Sequence, residues 1–416
     1  MERYVEPSGI KGKIKAPASK SMTQRAIAAA LLADGLSIIH NPSYCDDSLA
    51  AMSIAVGLGA RVEPQPDELK ITGTGVLKEP KLNCGESGLA IRMFSPIAAL
   101  YPAEITMAGA NSLKKRPMFM IEEALSQLGV KCTSAGGFLP LNIQGPISGG
   151  SCEIDGSVSS QVLTGLLMAL PLAEKDSEIK VKKLKSKPYI DMTIQLLKSF
   201  GIKIQNKDYE IFKIKGNQKY IPENYTVEGD WSGGAFLLVA GAINGQITVH
   251  GLRTDSMQSD MAIIKALEKA GAQMKISEDQ IEISASGLKA FEFDATESPD
   301  LFPPLVSLAS YCKGVSKIKG VSRLIYKESN RAATLMEEFG KMNISIEINN
   351  DVMHITGGQP SGAHVESHDD HRIAMSVAVA ALRATGRVYI RDSQCVAKSY
   401  PGFFDDLRLL GAVIHE

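Results

Sequence analysis

The chain has 416 residues, 44% of them hydrophobic and 22% charged, with a formal net charge of −1. That length exceeds one ordinary core and points to two domains, and the composition excludes a disordered or membrane protein. Near-neutrality gives no general pull toward nucleic acid, so any affinity for anions has to come from local clusters.

In chain order, residues 12–16 alternate as a strand, and residues 21–33 form the first of six helices built from small apolar residues. The other five span residues 87–100, 160–172, 232–243, 299–309 and 371–382. Helices apolar nearly all round are buried ones. Each is followed by a short strand: residues 37–40, 105–107, 179–181, 247–249, 317–319 and 388–390. Four of these strands lead into basic loops, carrying Lys114-Lys115-Arg116, Lys185-Ser186-Lys187, Lys327 with Arg331, and Lys398.

A second helix in each unit ends in Gly59, Gly129, Gly201, Gly271, Gly340 or Gly411, which are 69 to 72 residues apart by subtraction of their numbers. Glycine at that point suits a left-handed helix stop. Hairpins follow, as at residues 202–216, 272–285 and 343–357, with Asn/Asp-rich turns. A period near 70 residues marks a repeat architecture. The expected fold is α/β, with six repeat units, three per domain, sheets outside and helices inside. After Gly411 only residues 412–416 remain, one strand without a partner, and residues 12–16 are expected to supply it. The domains are then residues 19–227, and residues 1–18 with 228–416.

The starts of the buried helices carry the chemistry. A helix N-terminus offers free amides and the positive end of a dipole, a ready anion site. Lys20-Ser21 opens the first, with Arg25 a turn later; Gly85-Glu86-Ser87-Gly88 opens the second, with Arg92 after it. Ser159, Ser160 and Gln161 open the third, Asp300 the fifth, and Asp370-His371-Arg372 the sixth. Ser21, Ser159 and Asp370 also suit plain capping. Basic residues at equivalent points of several units would converge on a small, highly anionic ligand, and guanidinium groups favour carboxylate and phosphate. Asp300 and Glu328, set among cations, are candidates for proton transfer, with burial tuning them. His364, His368 and His371 with Asp369 and Asp370 match no zinc spacing, and Arg372 beside them disfavours a cation, so no metal is expected.

The motifs PASKSMTQR (17–25), GESGLAIR (85–92), KKRP (114–117), DGSVSSQ (155–161), SKPYID (186–191), EGD (228–230), SPD (298–300), YKESNR (326–331), DDHR (369–372) and CVAKSYP (395–401) resemble those of the 5-enolpyruvylshikimate-3-phosphate synthase family. The resemblance covers essentially the whole chain and implies six βαβαββ units, three per domain with pseudo-threefold symmetry. It implies transfer of the enolpyruvyl group of phosphoenolpyruvate to the 5-hydroxyl of shikimate 3-phosphate, in two domains that close over the substrates. It further implies that shikimate 3-phosphate contacts Lys20, Ser21, Arg25, Ser159, Ser160, Gln161, Ser186, Tyr189, Asp300 and Lys327. Phosphoenolpyruvate would be held by Lys20, Gly88, Arg116, Gln161, Arg331, Arg372 and Lys398. Asp300 would take the hydroxyl proton, with Glu328 and Lys20 serving the phosphoenolpyruvate methylene.

Four positions depart from the family pattern: Glu86 stands for the usual Asn, Arg323 for a polar residue, and Ala18 and Gln24 for Gly and Asn. The sister enolpyruvyl transferases acting on a UDP-sugar usually carry Lys-Asn where this chain has Lys20-Ser21, and a loop Cys where it has none between Cys84 and Cys132. A non-catalytic relative would be expected to lose Asp300, Glu328 or Lys398. The reading therefore expects a monomeric enzyme without cofactor, nucleic-acid partner or membrane association. Six cysteines without Cys-x-x-Cys spacing, and no apolar leader in residues 1–20, fit a cytoplasmic protein.

Overall fold

The computed structural model describes residues 1–157, 159–325 and 327–416; Val158 and Tyr326, each within a motif quoted above, lie outside the described residues. Six helices end alike. At Gly59, Gly129, Gly201, Gly271 and Gly411 the backbone is left-handed, with φ between 78° and 109°. Each of these amides donates to the carbonyl three residues back, and the next amide to the carbonyl five residues before it. That pair of bonds satisfies the last carbonyls of the helix. The fifth copy differs from expectation. Gly340 lies within the helix Arg331–Lys341, and Asn343, with φ 64°, makes the equivalent turn and the same two bonds. Asn tolerates this region because its short polar side chain bonds locally.

Among the described residues the strands form six four-stranded sheets. Each holds one parallel pair and then antiparallel neighbours, as in Lys81–Asn83, Glu104–Ala108, Phe138–Gln144 and Lys131–Ala135. One face of each sheet is buried. In Glu68–Gly73, for example, alternate residues Leu69, Ile71 and Gly73 are enclosed.

The chain ends do pair, but through other residues than expected. Glu2–Glu6 runs antiparallel between Val388–Arg391 and Val413–His415. Ile10–Lys15, which contains most of the predicted partner, instead lies parallel to Gly245–His250 in a different sheet. The N-terminal segment thus completes two sheets. Only Val5 of the first strand is fully buried, so its apolar signal is faint.

Contacts group residues 20–227 into one unit, and residues 1–19 with 228–416 into another, with three sheets in each. In the first, the helices Lys20–Leu32, Gly88–Ala98 and Gln161–Ala169 form the interior. Gly165 lets two of them approach closely, since a methyl group there would meet the Met93 and Arg92 carbonyl oxygens at 2.7 and 2.8 Å. In the second, Trp231–Asn244, Phe302–Ala309 and His371–Ala381 are packed against one another and almost wholly buried. Ser376 Oγ donates to the Pro303 carbonyl at 2.7 Å, tying the last two together. No helix of the described residues is long and apolar enough to cross a membrane.

Candidate active site

In residues 20–227 the expected contacts gather at helix starts. Ser87 caps Gly88–Ala98, its Oγ accepting from the Ala90 amide at 3.2 Å and donating to Gln24 Oε1 at 3.0 Å. Directly above lies a pair of buried arginines. A methyl group on Gly88 would stand 2.4 Å from an Arg116 guanidinium nitrogen and 2.9 Å from one of Arg92. Arg92 donates to the Gly88 carbonyl at 3.3 Å and to Gln161 Oε1 at 3.0 Å. Gly88, Arg116 and Gln161 are therefore brought together, with Arg92 orienting the glutamine.

A second group surrounds Arg25, which is buried at 1% exposure. Its Nε donates to Thr193 Oγ1 at 3.0 Å and its Nη1 to the Ser21 carbonyl at 2.9 Å. Thr193 Oγ1 also reaches Thr164 Oγ1 at 3.3 Å and donates to the Tyr189 carbonyl at 2.8 Å; Thr164 donates to the Ser160 carbonyl at 3.3 Å. Ser21, Arg25, Ser160 and Tyr189 are thus held by one threonine relay. Burial pushes the Arg25 guanidinium down to about 10, while Tyr189 and Tyr225 act in the opposite direction. An enclosed cation held by neutral groups is set up to receive an anion. Ser159 Oγ accepts from the Gln161 amide at 3.2 Å, and the buried Ser186 is left-handed (φ 58°), turning the chain into Lys187–Ser199.

Lys20, the first residue of the helix that carries Ser21 and Arg25, pairs with Asp47 at 2.8 Å. Asp47 was not singled out from sequence; its signal is the Asp46-Asp47 pair opening the helix Asp46–Gly57.

In the other unit the candidate residues form one charge network. Asp300 Oδ1 accepts from Lys327 Nζ at 3.0 Å and Arg331 Nη1 at 2.8 Å, and Arg372 Nη2 is 3.3 Å from Oδ2. Arg331 is fully buried and also binds Glu328 at 2.5 Å and Asp370 at 2.8 Å. Asp370 has two tasks: it caps His371–Ala381 through the Arg372 amide at 3.0 Å and holds Arg331. Capping alone thus understates Asp370. Lys398 Nζ binds Asp369, the neighbour of Asp370, at 2.7 Å to its carbonyl and 2.8 Å to its carboxylate.

Burial opposes charge on Asp300, but Arg372, Lys327 and Arg331 outweigh it and hold the carboxyl well below the usual range. Tuning by burial is therefore overridden by cations in the unliganded protein. Burial also opposes charge on Arg331, and Asp370, Glu328 and Asp300 together overcome it, raising its pKa. Lys327 is pushed down by burial, with Asp300 acting against that.

Asp260 went unnoticed in the sequence, where it sits in an unremarkable Ser259-Asp260 turn. It is buried, accepts from Ser232 Oγ, and is raised to about 6 by burial and then by the Asp300 charge, against Arg372. His368 reaches Glu338 at 2.6 Å, while His364 stacks on Tyr389 at 4.2 Å.

Comparison with known proteins identifies the family. The EPSP synthase (3-phosphoshikimate 1-carboxyvinyltransferase) family model matches residues 5–407. A 3-phosphoshikimate 1-carboxyvinyltransferase of Clostridium perfringens is 38% identical over 418 residues, covering 99% of each chain. One from Clostridium beijerinckii is 36% identical over 99% of this chain and 98% of its own. The 2.37 Å structure of EPSP synthase from Acinetobacter baumannii superposes with a TM-score of 0.83 at 27% identity, covering all of both chains. Spanning nearly its whole length, these matches show that the chain belongs to the EPSP synthase family.

Proposed function

We propose that the chain transfers the enolpyruvyl group of phosphoenolpyruvate to the 5-hydroxyl of shikimate 3-phosphate, releasing phosphate, in aromatic amino acid biosynthesis. The observation that carries this reading is Asp300, a carboxylate enclosed by Lys327, Arg331 and Arg372. In the free protein these cations make Asp300 a weak base. The carboxylate and phosphate of phosphoenolpyruvate would claim Arg331 and Arg372, and shikimate 3-phosphate would contact Lys327. Each cation engaged by substrate relieves Asp300, so its basicity rises when the reacting hydroxyl arrives.

The C3 methylene gains a proton from Glu328 or Lys20 while the 5-oxygen attacks C2 and its proton passes to Asp300. The resulting tetrahedral ketal phosphate returns a C3 proton to the group that supplied it, its C–O bond to phosphate breaks as the C2–C3 double bond re-forms, and the departing phosphate takes up the proton held by Asp300. Fixed cations stabilise charge as it shifts between carboxylate and phosphate oxygens. Arg25, Ser21, Ser160 and Tyr189 fit the acceptor side, with Ser159, Gln161 and Ser186; Gly88, Arg116, Gln161 and Lys398 fit phosphoenolpyruvate.

The domain division, residues 19–227 against residues 1–18 with 228–416, belongs to the same proposal, as do a monomeric state and a cytoplasmic location. All six cysteines are free and buried, which suits a reducing compartment.

The test is phosphate release from phosphoenolpyruvate with shikimate 3-phosphate or a UDP-sugar as acceptor. Turnover with the first alone is expected. Turnover only with the sugar would overturn the assignment.

A further inference from the structure

The position where the family pattern usually has Asn holds Glu86, one residue before the cap of Gly88–Ala98. A carboxylate there suits the positive end of the helix dipole, and it also reaches the neighbouring turn. Glu86 Oε1 accepts from Asn111 Nδ2 at 3.1 Å, and Oε2 accepts from the Ser112 amide at 3.2 Å and the Ser112 hydroxyl at 2.7 Å. Asn111 and Ser112 begin the short turn Asn111–Lys115, whose closing residue is Arg116.

The turn is anchored at further points. The Ala110 amide donates to the Gly85 carbonyl at 2.7 Å, and Leu113 is fully buried. Both lie at or before its middle. Arg116 is held by its own amide to the Leu113 carbonyl at 3.2 Å, and its guanidinium lies across Gly88. The Gly85–Gly88 turn and the Arg116 turn are thus sutured side by side, with Glu86 making three of the bonds.

We infer that Glu86 is a positioning residue that fixes the Asn111–Lys115 turn so that Arg116 stays over Gly88. This rests on the proposed assignment of Arg116 to phosphoenolpyruvate. A carboxylate suits the task because it only accepts, and three donors converge on it. A shorter Asn would offer one acceptor oxygen.

Two effects of Glu86 oppose each other, and that makes the idea testable. As a nearby negative charge it repels an anionic substrate; as a clamp it keeps the guanidinium placed. Glu86→Ala removes both, whereas Glu86→Gln removes the charge and keeps an acceptor for Ser112. If positioning dominates, Glu86→Ala raises the KM for phosphoenolpyruvate on the order of tenfold, because small misplacements of a binding group are costly. Glu86→Gln stays near wild type, and the dissociation constant for shikimate 3-phosphate changes little in either. Melting temperatures confirm that both variants fold, and Gln serves if Ala does not.

In the Arg116→Ala background, Glu86→Ala should add nothing further to KM. A KM that falls in both Glu86 variants, stays unchanged in both, or rises equally with and without Arg116 overturns the inference. If Arg116→Ala alone leaves KM unchanged, the assignment of Arg116 fails instead, and the positioning role falls with it.

Discussion

Arg331 donates to Asp300 at 2.8 Å from a guanidinium that is itself wholly buried. The pair is structural and, on the proposed mechanism, reactive. Asp300→Ala should lower the single-turnover rate by about 10²-fold or more, the range for loss of a general base. Binding of shikimate 3-phosphate should weaken far less. The same change leaves Lys327, Arg331 and Arg372 short of a counter-charge, so a lowered melting temperature is also expected. Asp300→Asn, which keeps the shape, separates the two effects. Wild-type single-turnover rates in either variant would remove Asp300 from the chemistry.

Asp260 and Asp300 respond to pH in opposite senses. Asp300 is depressed, so its contribution to stability is present above the unfolded value near 3.8 and is lost as pH falls below it. Asp260 is raised to about 6, so between about 4 and about 6 the folded state holds a proton that the unfolded state has lost. Stability from this group therefore declines as pH rises through that window. Asp260→Asn, which stays neutral and can still accept from Ser232, should melt higher than wild type at pH 8 but not at pH 4. A melting difference that is constant across this range would show that Asp260 does not titrate there.

Periodicity made most of the fold legible. Five of the six left-handed stops are the glycines the repeat marked, and each sheet contains one of the short strands that follow the buried helices. The failures share a cause: signals that are not apolar. Asn343 replaces glycine at the fifth stop and is invisible to a glycine count. Glu2–Glu6 buries one side chain completely, so charges mask its alternation, and Ile10–Lys15 was paired with the wrong sheet. At the site, helix starts and the basic loops after strands marked the cations. Their carboxylate partners Asp47 and Asp260 went unassigned, because a pairing across separate elements leaves no spacing in the chain.

Truncation of the N-terminus tests the strand pairing. Removing residues 1–8 takes out the strand between Val388–Arg391 and Val413–His415, leaving the last strand without a neighbour. Ile10–Lys15 remains beside Gly245–His250. Hydrogen exchange should rise first at residues 388–391 and 413–415, and hardly at 245–250. Removing residues 1–16 should add the second sheet to the affected set. Loss of protection centred on residues 20–227 in either truncation would contradict the pairing.

Gly88→Ala separates packing from function. The new methyl group would lie 2.4 Å from an Arg116 nitrogen and 2.9 Å from an Arg92 nitrogen, closer than non-bonded atoms tolerate. Both are ends of long, flexible side chains, so the clash is relieved by moving guanidinium groups rather than backbone. Gly88 is not among the left-handed glycines, and alanine suits a helix better than glycine by up to about 1 kcal/mol. The variant should therefore be as stable as wild type or slightly more so. Its arginines, however, no longer sit over the helix start. If they bind phosphoenolpyruvate there, its KM should rise on the order of tenfold or more, while the affinity for shikimate 3-phosphate, assigned to the Arg25 group, stays nearly constant. A variant that melts as wild type and keeps its KM would place phosphoenolpyruvate away from Gly88 and Arg116.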